Sequence, residues 1–271
     1  MVSIQRLLRK DRPAASVGVC VLFHERVEQT IECVRSCLTS SVNIYVLNNG
    51  SSQSSRKTFT DFSQQHDQIK LFDSDTNLGA WKGRNYLINQ TKEEWLLFVD
   101  SDTVNRTRNW FRKFQSYLLG HPEVEMFIPR LFNVHENMYW RPWSSRLDGN
   151  TIRYGLDVVG DDRNAFPASH VFVIRKLFDR LGLFDEEMFI GFGEYELCLR
   201  GILSGEPVRA KVIHDIAFQH EHRKAANEFD RSAALVRYDY DLYQNSINHE
   251  SRSLESSFLL IGVGGSPPRE I

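Results

Sequence analysis

Hydrophobic and polar positions alternate in blocks along the first hundred residues. Four apolar runs have the length of buried strands: VGVCVLF at 17–23, NIYVLNN at 43–49, IKLF at 69–72 and WLLFVD at 95–100. Between the first two runs, apolar residues recur at helical spacing, namely Val27, Ile31, Val34 and Leu38. A polar helix and the segment NLGAWKGRNYLINQTK, a glycine-bearing loop running into a helix, separate the others. Strands separated by helices predict a mostly parallel sheet covered on both faces, an α/β fold.

Polar residues follow each of the predicted strands. The strand ends carry HER, NNGSS, DSDTNLG and DSD. Ligands of parallel sheets bind outside the carboxyl ends of the strands. The pattern therefore predicts a ligand site at this edge of the sheet.

The alternation loosens after Thr103. We expect a helix at NWFRKFQSYLL, a strand at VEMFIPR, and a long irregular segment at 133–164, which is either a functional cover or disordered. Further along we expect a strand at HVFVIRK, a helix around LFDRLG, a helix starting near Glu194, an ordered segment VRAKVIHDIAFQHEHRK, and a helix from Glu228 to Asn245. The interpretation is one domain at 1–245, with halves at 16–105 and 106–245, and a loosely held tail at 246–271.

Composition narrows the class of protein. The chain is 41% hydrophobic and 25% charged, as in ordinary globular proteins, and its net charge of -2 gives no reason to expect nucleic acid as a partner. No apolar run approaches the ~18 residues of a membrane span, and no signal peptide opens the chain. The basic start IQRLLRKDR predicts at most a peripheral membrane contact. Four cysteines without a disulfide pattern predict core-facing thiols, so we expect a cytoplasmic protein.

Two carboxylates, Asp100 and Asp102, stand at the end of the run WLLFVD. Hard oxygen ligands at this spacing suit Mg²⁺ or Mn²⁺, which bind through one or two carboxylates plus substrate phosphates. The alternative is that one of the aspartates caps a helix beginning near Arg106. The tripeptide alone favours neither interpretation.

Four motifs together favour the metal-site interpretation of the two aspartates. FVDSDT, NNGSS, NLGAWKGRN and GLFDEEMFIGFGEYELCLR occur in the order and rough spacing seen in family 2 glycosyltransferases of the GT-A fold, and the resemblance covers about residues 16–225. It implies a Rossmann-like GT-A domain that transfers a sugar from a nucleotide-diphosphate sugar, UDP-sugar first, to an acceptor hydroxyl with inversion. It also implies a divalent cation, Mn²⁺ rather than Mg²⁺ if a histidine joins the aspartates.

The resemblance assigns donor-binding residues by position. The turn that cups the nucleotide base matches His24 and Glu25, and the position that accepts from uracil matches Asn48. Arg84, which without the other motifs would be interpreted as a surface charge, matches the diphosphate contact, with Lys82 assisting. The full donor set is His24, Glu25, Asn48, Asn77, Gly79, Arg84, Asp100 and Ser101.

The resemblance also implies the catalytic base and a third metal ligand. The family pattern Glu-Asp-x-Asp-Leu-x-x-Arg, registered on Leu197 and Arg200, places Glu194 at the general base and Glu196 second. Acidic residues that simply open a helix are the alternative. In the related polypeptide N-acetylgalactosaminyltransferases a late histidine joins the two aspartates, and the matching residue is His220, with His222 as the fallback.

The acceptor is expected at the aromatic residues Tyr139, Trp140 and Trp143, for which a core-covering flap is the alternative. It belongs to one of four classes: a glycan, a lipid-linked sugar, a protein or a small molecule. Two rival functions are a sugar-1-phosphate nucleotidylyltransferase and a non-catalytic carbohydrate-binding protein. The first should carry a glycine-rich loop with an arginine directly after the first strand, and LFHERVEQ has no such loop.

Overall fold

The computed structural model describes residues 14–135, 137–140, 142–148, 151–155, 165–166, 170–191, 193–220, 259–260 and 269–270. Its helices are α1 Val27–Cys37, α2 Gln53–Ser63, α3 Ala80–Gln90, α4 Trp110–Gly120, α5 Arg175–Leu181 and α6 Gly193–Leu203. Its strands are β1 Val17–Phe23, β2 Asn43–Asn49, β3 Ile69–Ser74, β4 Trp95–Asp100, β5 Thr103–Asn105, β6 Met126–Asn133, β7 Met138–Trp140, β8 Trp143–Asp148, β9 Thr151–Gly155, β10 Ala165–Phe166, β11 Val171–Ile174, β12 Ala210–His220, β13 Leu259–Leu260 and β14 Arg269–Glu270.

The main sheet has the order β3-β2-β1-β4-β11-β6-β12-β5, and β7 pairs with β6 beside this path. Strands β1 to β4 are mutually parallel, as predicted. Strand β11 is antiparallel to both of its neighbours, whereas β12 runs parallel to β6. The carboxyl ends of the four parallel strands therefore meet at one edge of the sheet. The last residues of these strands are Phe23, Asn49, Ser74 and Asp100.

The core explains why the strand sequences are continuously apolar. Strand β1 is buried on both faces, since Val19 on one face is 0% exposed and Cys20 on the other is 2% exposed, as expected for a parallel strand between helical layers. On the far side of the sheet, the ring of Phe114 in α4 stacks on Phe172 of β11 with centroids 3.9 Å apart. The four cysteines are buried free thiols, as predicted.

In the second half, one predicted helix is confirmed and one prediction changes. The helix expected at NWFRKFQSYLL is confirmed as α4, Trp110–Gly120, and strand β5 precedes it directly after the two aspartates. The segment 133–164 was expected to be irregular, but β7 pairs with β6 and a hairpin joins β8 and β9. The sequence carries a hairpin signal there, because the two residues Gly149 and Asn150 separate the two strands. Asp148 and Thr151, on either side of them, pair with each other.

The predicted helix from Glu228 to Asn245 lies outside the described residues. In the expected tail, only β13 and β14 are described, and they pair antiparallel with each other. Among the helices that the structure describes, none has the length and apolar composition needed to cross a lipid bilayer.

Candidate functional site

The turn from β4 into the short strand β5 brings Asp102 to His220. After Asp100 ends β4, the chain turns at once into β5, which pairs antiparallel with the end of β12 so that Thr103 lies opposite His220. The Nε2 atom of His220 consequently lies 3.0 Å from Oδ1 of Asp102. Strand pairing therefore joins residues that are far apart in the sequence, a contact that the local pattern did not contain.

Asp100, Asp102 and His220 form a group of possible metal ligands. Each offers one ligand atom, and these three atoms lie within 4.8 Å of one another. The capping alternative is wrong, since α4 begins at Trp110 with Asn109 at its N-cap position. Two carboxylates and an imidazole are a donor set that Mn²⁺ accepts, and Mg²⁺ would use mainly the carboxylates. The residues fit a divalent cation.

The two aspartates differ in their electrostatic environment. Burial raises the pKa of Asp100 to about 6, with Asp102 and Glu194 adding to the effect and Arg84 and His220 opposing it. Burial also acts on Asp102, but the hydrogen bond and charge of His220 hold its pKa below the ordinary value. Both carboxylates are therefore mostly ionised at pH 7, the state that a cation requires.

Arg84 joins this group to Glu194. Its Nη2 donates to Oδ1 of Asp100 at 3.0 Å, and its Nη1 donates to Oε1 of Glu194. The guanidinium also lies over the ring of Trp81, 4.7 Å from the centroid, and over that of Phe98. The side chain is only 6% exposed, so the surface-charge alternative is wrong. Arg84 fixes Glu194 and Asp100 relative to each other.

The two glutamates at the start of α6 have different partners. Glu194 is buried and pairs with Arg84. Glu196 accepts from Arg200 of its own helix, with Oε1 2.6 Å from Nε and Oε2 2.8 Å from Nη2. Arg200 in turn donates to the carbonyl oxygens of Leu181, the last residue of α5, and of Leu183 just after it. Glu196 therefore holds a loop in place, whereas Glu194 faces the metal-ligand group through Arg84.

The segment before α6 is docked on the start of α3. The indole Nε1 of Trp81 donates to the carbonyl of Gly191 at 2.8 Å, and the amide of Ala80 donates to the carbonyl of Phe189 at 2.7 Å. Gly193 lies flat against the Trp81 ring, so that a Cβ there would be 2.3 Å from Cδ2. Close packing of glycine on tryptophan thus positions the first turn of α6 and Glu194 with it.

Gly193→Ala is expected to destabilise the protein. A methyl group at that distance forces the ring or the helix to move, and such overpacking costs about 1–3 kcal/mol of unfolding free energy. Thermal or urea unfolding measures the change. The matched control is Gly120→Ala at the end of α4, where a Cβ meets nothing within 4 Å and stability should stay the same or rise slightly. Equal stabilities for Gly193→Ala and the wild type would contradict the tight packing.

The predicted base-binding turn is held by polar contacts. The carboxylate of Glu25 accepts from the backbone amide of Ser52 at 2.6 Å and from the hydroxyl of Ser55 at 2.9 Å, and Ser52 is the N-cap residue of helix α2. These hydrogen bonds hold the pKa of Glu25 below its ordinary value. His24 Nδ1 lies 3.1 Å from the carbonyl of Asn49. The sequence did not reveal that Glu25 binds the N-terminus of α2.

Side-chain amides organise the neighbouring strand ends. Asn48 donates through Nδ2 to Oδ1 of Asp73 at 2.9 Å and accepts at Oδ1 from the amide of Ser51. Gly50 has φ +72°, the positive value that the turn predicted. The other predicted donor residues lie at the same edge: Asn77 accepts from Asn49 and from the amide of Gly79, and Ser101 lies in the turn between Asp100 and Asp102.

One charged residue at this edge was missed. Arg26, the last residue of the strand-end segment HER, is half exposed, and its Nη1 lies 3.6 Å from Oδ2 of Asp102. Its place beside His24 and Glu25 at a polar strand end was the signal that could have identified it.

The aromatic residues of β7 divide into two roles. Trp140 packs edge-on against His220 with centroids 5.9 Å apart and is partly buried. Tyr139 is 41% exposed, and the guanidinium of Arg130 lies 3.6 Å from its ring centroid. Trp140 thus covers the core beside the metal-ligand group, while Tyr139 offers a ring to solvent. The side chain of Trp143 lies outside the described residues.

Similar proteins share both the fold and parts of the sequence. The chain is 32% identical over 85 residues to a poly-β-1,6-N-acetyl-D-glucosamine synthase of Staphylococcus epidermidis, which is 31% of this chain and 20% of that protein. The chain thus spans about a fifth of the length of this curated relative.

Solved structures at low identity show the fold. GalNAc-T7 with UDP, GalNAc and Mn²⁺ has a TM-score of 0.60 at 13% identity, over 91% of this chain and 56% of the other. S. aureus TarS with UDP-GlcNAc has a TM-score of 0.58 at 15% identity, over 81% of this chain and 64% of the other. The mannosyltransferase PcManGT from Pyrobaculum calidifontis with GDP-Man and Mn²⁺ has a TM-score of 0.58 at 13% identity, over 92% of this chain and 76% of the other. The mostly parallel α/β fold is that of the GT-A glycosyltransferases.

The sequence profile of the family described as glycosyl transferase family 2 matches residues 18–182, from the first strand to the end of α5. That span includes β1 to β4, Arg84 and both aspartates. Together with the strand order and the ligand group at the strand ends, the match shows that the chain belongs to glycosyl transferase family 2.

Proposed function

We propose that this protein is a metal-dependent glycosyltransferase that moves a sugar from a nucleotide-diphosphate sugar to an acceptor hydroxyl with inversion. The observation that carries the proposal is the meeting of Asp100, Asp102 and His220 with the Arg84–Glu194 pair at one edge of the sheet. Family membership supports it, and so do two structural neighbours, one solved with UDP-GlcNAc and the other with GDP-Man and Mn²⁺.

In this proposal the carboxyl edge of the sheet holds the donor. Asp102 and His220 are direct cation ligands, and Asp100 contacts the cation or the ribose. The bound cation supplies Lewis-acid stabilisation of the departing diphosphate. His24, Glu25, Asn48, Asn77 and Gly79 form the nucleotide side, where Asn48 has an amide in place of the carboxylate that the family directs at uracil. UDP-sugars are the first donors to test, and because of this substitution GDP-sugars are tested beside them.

Glu194 is the proposed general base. It takes the proton from an acceptor hydroxyl while the oxygen attacks the anomeric carbon from the face opposite the leaving diphosphate, so that the configuration inverts. A carboxylate serves this role when it lies within hydrogen-bond reach of the hydroxyl. Arg84 keeps the Glu194 carboxylate oriented relative to Asp100. The exposed ring of Tyr139 is the proposed acceptor contact, because sugar C–H faces pack on aromatic rings.

A thermal-shift panel of UDP- and GDP-sugars with and without MnCl₂ tests the proposal. A ligand at about 100 times its Kd stabilises the folded state by about 2.7 kcal/mol, which raises the Tm of a chain of this size by roughly 5–10 °C. We expect one nucleotide class to give this shift with MnCl₂ and to lose it with EDTA. If no nucleotide sugar shifts the Tm under either condition, the proposed function is wrong.

A further inference from the structure

Arg26 lies on the solvent side of the metal-ligand group, between strand β1 and helix α1. Its Nη1 is 3.6 Å from Oδ2 of Asp102, and the arginine side chain is 50% exposed. The other carboxylate oxygen of Asp102 lies 3.0 Å from His220 Nε2. The two oxygens of Asp102 therefore face two different partners, an enclosed imidazole and an accessible guanidinium.

Arg84 is placed quite differently. Its guanidinium binds two carboxylates and lies against two aromatic rings, and its side chain is 6% exposed. A phosphate group is recognised by guanidinium N–H groups that it can reach, often two at once. Arg26 is accessible, and among the ion pairs that the structure describes it makes only the long one with Asp102, so it meets this condition better than Arg84.

The charges of the site indicate when Arg26 becomes available. Asp100, Asp102 and Glu194 face Arg26 and Arg84, which leaves one negative charge among these five side chains. A divalent cation reverses that sign, and Asp102 as its ligand no longer balances Arg26. The Arg26 guanidinium then lies beside the cation, and the carboxylate of Asp102 no longer neutralises it. Two neighbouring positive charges favour a dianionic ligand.

We propose that Arg26 is a donor-binding residue. Its guanidinium pairs with Asp102 before the cation binds, and it pairs with the diphosphate of the nucleotide sugar once Asp102 ligates the cation. The inference rests on the proposed function and assigns to Arg26 the diphosphate contact that the family resemblance gave to Arg84.

Two opposite effects follow from removing the side chain. Without Arg26, a cation no longer competes with a guanidinium for Asp102, so Mn²⁺ alone binds as well as before or more tightly. The diphosphate loses a charge-assisted hydrogen-bond partner, a loss that lowers affinity by about 10–100-fold. A merely structural role would weaken both kinds of binding together.

The experiment titrates the full chain calorimetrically with MnCl₂ alone, then with UDP, GDP and uridine at saturating MnCl₂. The variants are Arg26→Ala and Arg26→Lys, with Arg35→Ala as control, since Arg35 is an exposed arginine of α1 that lies over the Phe62 ring. We expect Arg26→Ala to lose about 10–100-fold in diphosphate affinity, while Mn²⁺ and uridine binding do not weaken. Arg26→Lys should recover part of the loss because it keeps the charge without the planar fork.

Each other outcome has a distinct meaning. Wild-type diphosphate affinity in Arg26→Ala overturns the inference, and so does a parallel loss of Mn²⁺ binding, which would make Arg26 a structural residue of the cluster. If the wild-type protein binds neither UDP nor GDP with MnCl₂, the proposed function fails first, and the wild-type titration alone shows it.

Discussion

Asp102→Ala is expected to abolish Mn²⁺-dependent binding of the nucleotide diphosphate and to reduce sugar transfer by roughly 10³-fold or more. Asp102 is the proposed cation ligand with the clearest geometry, because one of its oxygens lies 3.0 Å from His220, and the hydrogen bond and charge of His220 hold its pKa below the ordinary value despite burial. Removing it leaves the departing diphosphate without the charge that stabilises it. Calorimetry with MnCl₂ and UDP or GDP measures the binding, and release of the diphosphate from the donor measures the transfer.

The control for Asp102→Ala is Asp61→Ala. Asp61 is exposed and pairs only with Lys57 four residues earlier on α2 in the ion pairs that the structure describes, so its loss should change stability by less than about 1 kcal/mol and leave binding intact. Unchanged diphosphate affinity of Asp102→Ala in the presence of Mn²⁺ would remove Asp102 from the metal site. A misfolded variant is recognised by its unfolding transition before any titration.

The first half of the fold was predictable because buried parallel strands leave a strong local signal. The predicted limits of β1 and β4 match Val17–Phe23 and Trp95–Asp100, since both strands are covered on both faces and accept few polar residues. Polar strand ends then located the site, as the topology of parallel sheets requires. The candidate ligands followed from residue chemistry and from the family resemblance.

The contacts within the site were not predictable in the same way. Arg84 and Glu194 are 110 residues apart, and Asp102 and His220 are 118 apart. Neither pair has a local pattern, because the three-dimensional arrangement of α3, α6, β5 and β12 creates both. The family resemblance gave Arg84 to the diphosphate, whereas the structure shows its guanidinium enclosed between two carboxylates. Similarly, the strand return at β5 is only three residues long, too short for a periodic signal.

Glu194→Gln is expected to keep donor binding and to lose about 10²–10⁴-fold in transfer rate, the usual range for removing a general base. The amide has the shape of the carboxylate and still accepts from Arg84, so that the buried contact is weakened rather than emptied. It does not take a proton from the acceptor hydroxyl. Measurement of kcat and of KM for the donor, with an acceptor that supports wild-type transfer, separates the two effects: kcat falls while donor KM changes little.

Glu196→Gln is the matched variant, two residues further along α6. Glu196 binds Arg200, which holds the carbonyl groups of Leu181 and Leu183, so we expect a lower Tm with transfer close to the wild-type rate at a temperature where the variant is folded. The reverse pattern, normal turnover for Glu194→Gln and loss for Glu196→Gln, would move the base to Glu196. It would also mean that the family register is wrong by two residues and that Arg84 holds a carboxylate with no part in the proton transfer.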